Sequence, residues 1–183
     1  MKHLTGFLAL FLFAVLPLSA ADLSDLTWTT TDGEVTITDC DPAAFWELVI
    51  PDTIEGNPVT RIGSEAFSYC RNLTSITIPD SVTSIGDGAF QGCHTLARIT
   101  IPDGVTSIRE RVFEGCYLLT SITIPDSIAS IGQYAFQGCR NLASIAFPDS
   151  VTGIGGFAFR FCRGLTSITI PNRVTSIGNS TFS

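Results

Sequence analysis

Leu73-Thr74-Ser75-Ile76-Thr77-Ile78-Pro79-Asp80-Ser81-Val82-Thr83-Ser84-Ile85-Gly86-Asp87-Gly88-Ala89-Phe90-Gln91-Gly92-Cys93-His94-Thr95 is followed at Leu96 by the same pattern, which starts again at Leu119, Leu142 and Leu165. The period is 23 residues without slippage. Phe67, Phe90, Phe113, Phe136, Phe159 and Phe182 keep this spacing, and so do Cys70, Cys93, Cys116, Cys139 and Cys162. Self-similarity at such a period marks a solenoid, whose turns cannot bury their apolar side until a neighbour stacks on them.

Within one turn, Leu73, Ile76 and Ile78 alternate with polar Ser75 and Thr77, the pattern of a short half-buried strand. Pro79-Asp80 turns the chain, because Pro fixes φ and Asp can bond its own downstream backbone. Val82 to Ile85 makes a second short strand, and Ala89-Phe90 with Cys93 closes the coil through a turn or a single helical turn. Gly86 suits a turn, but Arg109 stands at its place one copy later, so a positive φ is not required there. The expected fold is a β-rich solenoid of 23-residue turns with little helix. Its inward residues are Leu73, Ile76, Ile78, Val82, Ile85, Ala89, Phe90 and Cys93.

The consensus L-x-x-I-x-I-P…V-x-x-I-G-x-x-A-F-x-x-C, as it stands at residues 73–93, resembles the BspA-like leucine-rich repeats of bacterial surface proteins. The resemblance covers about residue 50 to the C-terminus. It implies a leucine-rich-repeat solenoid used in adhesion and protein binding, without catalysis.

Residues 1–21 read as a secretory signal peptide. Lys2 and His3 give the positive end, Phe7 to Leu16 the apolar run, and Ser19-Ala20-Ala21 the small residues for cleavage. That run is shorter than the ~20 residues a membrane span needs, and no later run is longer. A secreted or cell-surface location follows, with no transmembrane segment once the signal is removed. Residues 22–49 are not repeat-like. Alternation around Asp32-Gly33 predicts a β-hairpin that caps the first coil, with Trp28 and Trp46 as its plugs. The solenoid then occupies 50–183. Its first turn is lengthened: 12 residues separate Ile50 from Ile62 against 7 between Ile78 and Ile85. Glu55-Gly56-Asn57-Pro58 is the extra turn material and should protrude as a loop. The sequence reaches Ser183, one residue past Phe182. Fraying, cover by another molecule and truncation of a longer chain are all compatible with that.

A net charge of −7 and a pI near 4.6 argue against nucleic acid, which asks for a basic stripe. Six cysteines in an exported chain suggest disulfides, but five of them repeat at one position. Their side chains run parallel, a poor geometry for bridging, so free core thiols are expected. Bridging of Cys40 to Cys70 stays open. Asp52, Asp80, Asp103, Asp126 and Asp149 form a column that reads as solvated turn residues rather than a metal site. No cofactor and no metal is expected. No catalytic group stands out: His94 is the only histidine after the N-terminal segment, and its neighbour Cys93 occupies an ordinary repeat slot. The outward strand positions define the candidate binding face: Ser75, Thr77, Arg98, Thr100, Ser121, Thr123, Ser144, Ser167 and Thr169. The partner expected there is a host, matrix or neighbouring-cell protein. A structural or glycan-binding role of the same Ser/Thr face is the alternative.

Overall fold

The computed structural model describes residues 22–183, so the segment 1–21 that reads as a signal peptide lies outside the described residues. The hairpin predicted around Asp32-Gly33 is present. β1 (Leu26–Thr31) and β2 (Glu34–Cys40) pair antiparallel, and Asp32 and Gly33 carry φ of 53° and 78°, as a type I′ turn requires. β2 then lies parallel to β5 (Asn57–Ile62). Val35 and Ile37 are fully buried at this join. Between them run β3 (Phe45–Val49) and β4 (Thr53–Ile54). β4 and β5 form a second hairpin through Glu55 and Gly56, both at positive φ. The lengthened first turn is thus an ordered hairpin, not a plain loop.

From residue 72 the coils repeat. One sheet contains β3, β6 (Asn72–Thr77) and β8 (Arg98–Ile99), and continues in β10 (Ser121–Thr123) and β12 (Ser144–Ala146). The second runs through β5 and β7 (Ser84–Ile85), then β9 (Ser107–Ile108), β11 (Ser130–Ile131), β13 (Gly153–Ile154) and β14 (Ser176–Ile177). All stacking between coils is parallel and joins equivalent residues, as in Ile131↔Ile154 and Ile122↔Ile145. Among the described residues, helix is limited to a three-residue 3-10 turn at Leu23–Asp25.

The inward positions of the repeat are buried up to Cys162 apart from half-buried Phe147, whereas in the last coil Leu165, Ile168, Ile170 and Val174 are half-buried and Ile177 and Phe182 are exposed. The phenylalanines stack face to face from Phe67 to Phe182 with ring centroids 5.2–5.7 Å apart. The Pro-Asp corners from Pro79 to Pro148 close through a backbone bond such as Val82 N–H to the Pro79 carbonyl, 3.0 Å. The aspartates of these corners stay exposed and hold no backbone. The corner needs only the fixed φ of proline, so the bond expected from the Asp side chain is absent. Trp28 packs half-buried against the core, but Trp46 does not plug the end: it is 53% exposed. A bulge at Trp46/Glu47, with Trp46 at φ 67°, turns it out of the stack.

All six cysteines are free and buried. The thiols of Cys93, Cys116, Cys139 and Cys162 donate to the carbonyls of Phe67, Phe90, Phe113 and Phe136, one coil back, at 3.0–3.2 Å. Burial pushes the Cys116 and Cys139 thiols well above their ordinary range, which keeps them protonated and unreactive. Native labelling with a thiol reagent should therefore be slow. Unfolding without reductant should release at least five of the six; recovery of two or fewer would mean a disulfide staple.

The second ladder is interrupted between β7 and β9. Elsewhere it is extended by bonds such as Gly132 N–H to Ile108 O, 2.7 Å, and Ala129 N–H to Thr106 O, 2.9 Å. The corresponding bonds from Arg109 and Thr106 do not form. A Cβ built on Gly132 would lie 2.5 Å from the Arg109 carbonyl carbon, so glycine is needed at this position for close approach rather than for positive φ. Arg109 carries a Cβ there and props its coil away. In exchange it pairs with Asp87 at 3.0 Å, whose carboxylate also accepts from Glu110 N–H.

Candidate protein-docking face

The first sheet places the outward strand residues in rows. Glu47, Ser75 and Arg98 stand in direct register across β3, β6 and β8, and Ser121 pairs with Ser144. In the next row Val49 faces Thr77 and Thr123 faces Ala146. The rows are continuous within each of these two groups, while β8 and β10 are not paired. Thr100 follows β8 outside the strand. Ser167 and Thr169 lie in a last coil that forms no strand on this side, because its backbone pairs with no neighbour. All nine residues reach the surface, with Ser75 half-buried and the others exposed.

Between the two middle strands the face is hollowed. Ser121, Thr123, Ser144, Ala146, Phe147 and Pro148 line a shallow depression of about 350 Å³. Ala146, where other copies have Thr, supplies part of the room. Phe147, in place of the usual Ile, turns edge-on to Phe159. Arg98 has no carboxylate within ion-pair distance among the described residues, unlike Arg61, Arg109 and Arg111. Its guanidinium fork is available to a partner.

Sequence reasoning missed the N-terminal end of this face. The 22–49 boundary puts β3 in the cap, yet Leu48, Val49 and Ile50-Pro51 match Ile76, Thr77 and Ile78-Pro79, and β3 is a full member of the first sheet. The signal was present in Leu48-x-Ile50-Pro51 but shifted by the lengthened turn. Its consequence is chemical. Phe45, Trp46 and Val49 are 40%, 53% and 65% exposed, a cluster of large apolar groups at the edge of an otherwise Ser/Thr-rich sheet. Thr74 Oγ1 donates to the Trp46 carbonyl at 3.0 Å and fixes the bulged backbone.

No three His, Cys, Asp or Glu residues come together as a metal cage among the described residues. Cys93 and His94 do not form a dyad. The thiol is committed to the Phe67 carbonyl, burial raises it well above the usual thiol range, and the His94 ring stacks on Tyr117 at 4.4 Å.

Two short parallel sheets joined by turns, stacked coil on coil with an apolar ladder inside, define a leucine-rich-repeat solenoid. The BspA type leucine rich repeat region matches residues 60–183 in six copies, and the chain belongs to that family. Among solved structures it is similar to a leucine-rich repeat protein of T. pallidum, at 32% identity and a TM-score of 0.77, over 88% of this chain and 82% of that one. A leucine-rich cell surface protein of Faecalibacterium prausnitzii shares 32% identity at a TM-score of 0.65 over 87% of this chain. A leucine-rich repeat protein of Bacteroides ovatus shares 28% at 0.62 over 84%. The chain spans about half the length of the last two, 50% and 54%. No curated protein matches it in sequence. Repeats of this family form a protein-interaction scaffold that is in general non-enzymatic, and no helix among the described residues is long and apolar enough to cross a membrane.

Proposed function

We propose that this chain is an exported, non-enzymatic adhesion module that docks a protein of a host, matrix or neighbouring cell on the first sheet. The observation that carries the reading is the exposed Phe45-Trp46 pair with Val49 at the edge of a rigid sheet that also bears Arg98. Trp and Arg dominate interface hot spots, and a stacked sheet offers them a preformed surface with little ordering cost. Export is supported by the basic end, apolar run and small residues of 1–21. A cell-surface location is supported by the family and by the Faecalibacterium protein, which is a cell surface protein.

Two measurements test it. Mass spectrometry of the exported chain should find an N-terminus at Ala21 or Asp22; an intact Met1 would contradict export by this route. Binding to a purified extracellular protein captured by the chain should weaken by about 1–2 kcal/mol or more in Arg98→Ala, and at least as much in Trp46→Ala. Arg140→Ala, on a turn away from the sheet, should leave that protein's binding near wild type. The reverse pattern in surface-plasmon measurements would place the protein interface on the turns.

A further inference from the structure

The turn preceding each ladder cysteine requires a left-handed residue. Tyr69, Gly92, Gly115, Gly138 and Phe161 fill that position in successive coils, with φ from 61° to 75°. Bulky aromatics rarely adopt this conformation, and such strain clusters at functional sites. Here the two aromatics close the ends of a groove of about 350 Å³. Its middle floor is bare backbone. The Tyr69 ring lies over Gly92, but a Cβ at Gly115 or Gly138 would meet nothing nearer than 3.7 Å.

The walls are planar and polar. On one side Gln91 and Gln137 donate their amides to the two oxygens of Glu114, at 2.9 and 3.4 Å. Gln137 Oε1 is one of only two buried side-chain polar atoms among the described residues with no partner, an acceptor left over on a residue that lines the groove. On the other side His94 stacks on Tyr117, and the Arg140 guanidinium sits 4.5 Å from the centre of the Tyr117 ring. Arg140 and Arg163 line the groove without a carboxylate partner among the described residues, in a chain of net charge −7.

We infer that this groove binds a short glycan carrying an anionic group, a carboxylate or a sulfate ester. Tyr69 and Phe161 are 50% and 45% exposed; Arg71 and Arg160 sit over their rings at 5.4 and 4.5 Å from the centres, and the uncovered part of each ring takes the C–H face of a sugar. Glu114 and the amides beside it take ring hydroxyls, which donate and accept at once. Arg140 and Arg163 take the anion, bidentate in the manner of guanidinium. Tyr69 and Phe161 stand four coils apart, ~19 Å at the inter-strand spacing, which suits an oligosaccharide rather than a single sugar. An extended peptide fits less well. It would bind by adding backbone bonds, and the floor amides of Gly92, Gly115 and Gly138 already donate to the next coil. This site is separate from the sheet face and does not depend on the docking reading.

Isothermal titration calorimetry of the mature chain with four probes tests it: an oligogalacturonate hexamer, a heparin hexasaccharide, neutral cellohexaose and a hexaglutamate peptide. At least one anionic oligosaccharide should bind at least tenfold tighter than both cellohexaose and hexaglutamate; which one identifies the anion. Arg140→Ala and Phe161→Ser should each weaken that binding about tenfold or more, while Arg98→Ala on the sheet leaves it unchanged. Failure of both anionic sugars, hexaglutamate binding as tightly as they do, or equal sensitivity to Arg98→Ala would each overturn the proposal. Circular dichroism of the variants separates loss of binding from loss of fold, and a misfolded Phe161→Ser leaves the exposed Arg140→Ala to decide.

Discussion

Phe113→Ala should destabilise the protein by about 3–5 kcal/mol, the cost of emptying a core aromatic site, whereas Phe182→Ala should cost far less. Phe113 is fully buried and lies between two rings, Phe90 at 5.6 Å and Phe136 at 5.3 Å. Removing it opens a cavity that neither neighbour can fill, because each ring is held by its own coil. Phe182 stacks only on Phe159, at 5.7 Å, and is 46% exposed, so its removal leaves no enclosed void. In a solenoid each coil draws stability from its two neighbours, and a central loss also uncouples the halves on either side. Urea melts of the two variants compare the costs directly. Similar losses would mean that the last turn is covered as the middle one is.

Gly132→Val is expected to cost about 1–3 kcal/mol or more, as overpacking does in a rigid interior. Its Cβ would fall 2.5 Å from the Arg109 carbonyl carbon and 2.7 Å from Glu110 N. Both are backbone atoms, so relief requires the coils to part and the Gly132 N–H bond to Ile108 O to stretch or break. Arg109→Gly is the converse. It would let β9 close onto β7 and form two further backbone bonds, each about 0.5–1.5 kcal/mol net. The exposed Asp87 ion pair that it loses is worth about 0–1 kcal/mol. Thermal melts should therefore move in opposite directions for the two variants. A neutral Gly132→Val would show that the coils slide apart freely.

The inner ladder was legible because burial leaves a strict pattern. Every position from Leu73 to Cys93 that reads as apolar is buried, and no single polar contact competes with that. The surface was less legible. Trp46 reads as a plug because a tryptophan beside a solenoid end normally covers it, yet one bulged residue turns it outward. β3 was hidden by the lengthened turn, which breaks the 23-residue count just where the first coil begins. The Asp column looked like hydrogen-bonding turn residues, but proline alone closes those corners. The aromatic-ended groove was the least visible. Tyr69 and Phe161 look like random replacements of glycine until the coils are stacked and both are seen to bound one floor.

The claim that the first sheet is the protein-docking face is tested most directly by photo-crosslinking. A photoreactive residue is placed at Ser121, on the first sheet, or at Ala129, an exposed position beside the second sheet, and irradiated with the captured protein partner. The docking reading predicts a covalent adduct from position 121 and none from 129. An adduct from 129 with none from 121 would contradict it and move the interface to the other side of the coil.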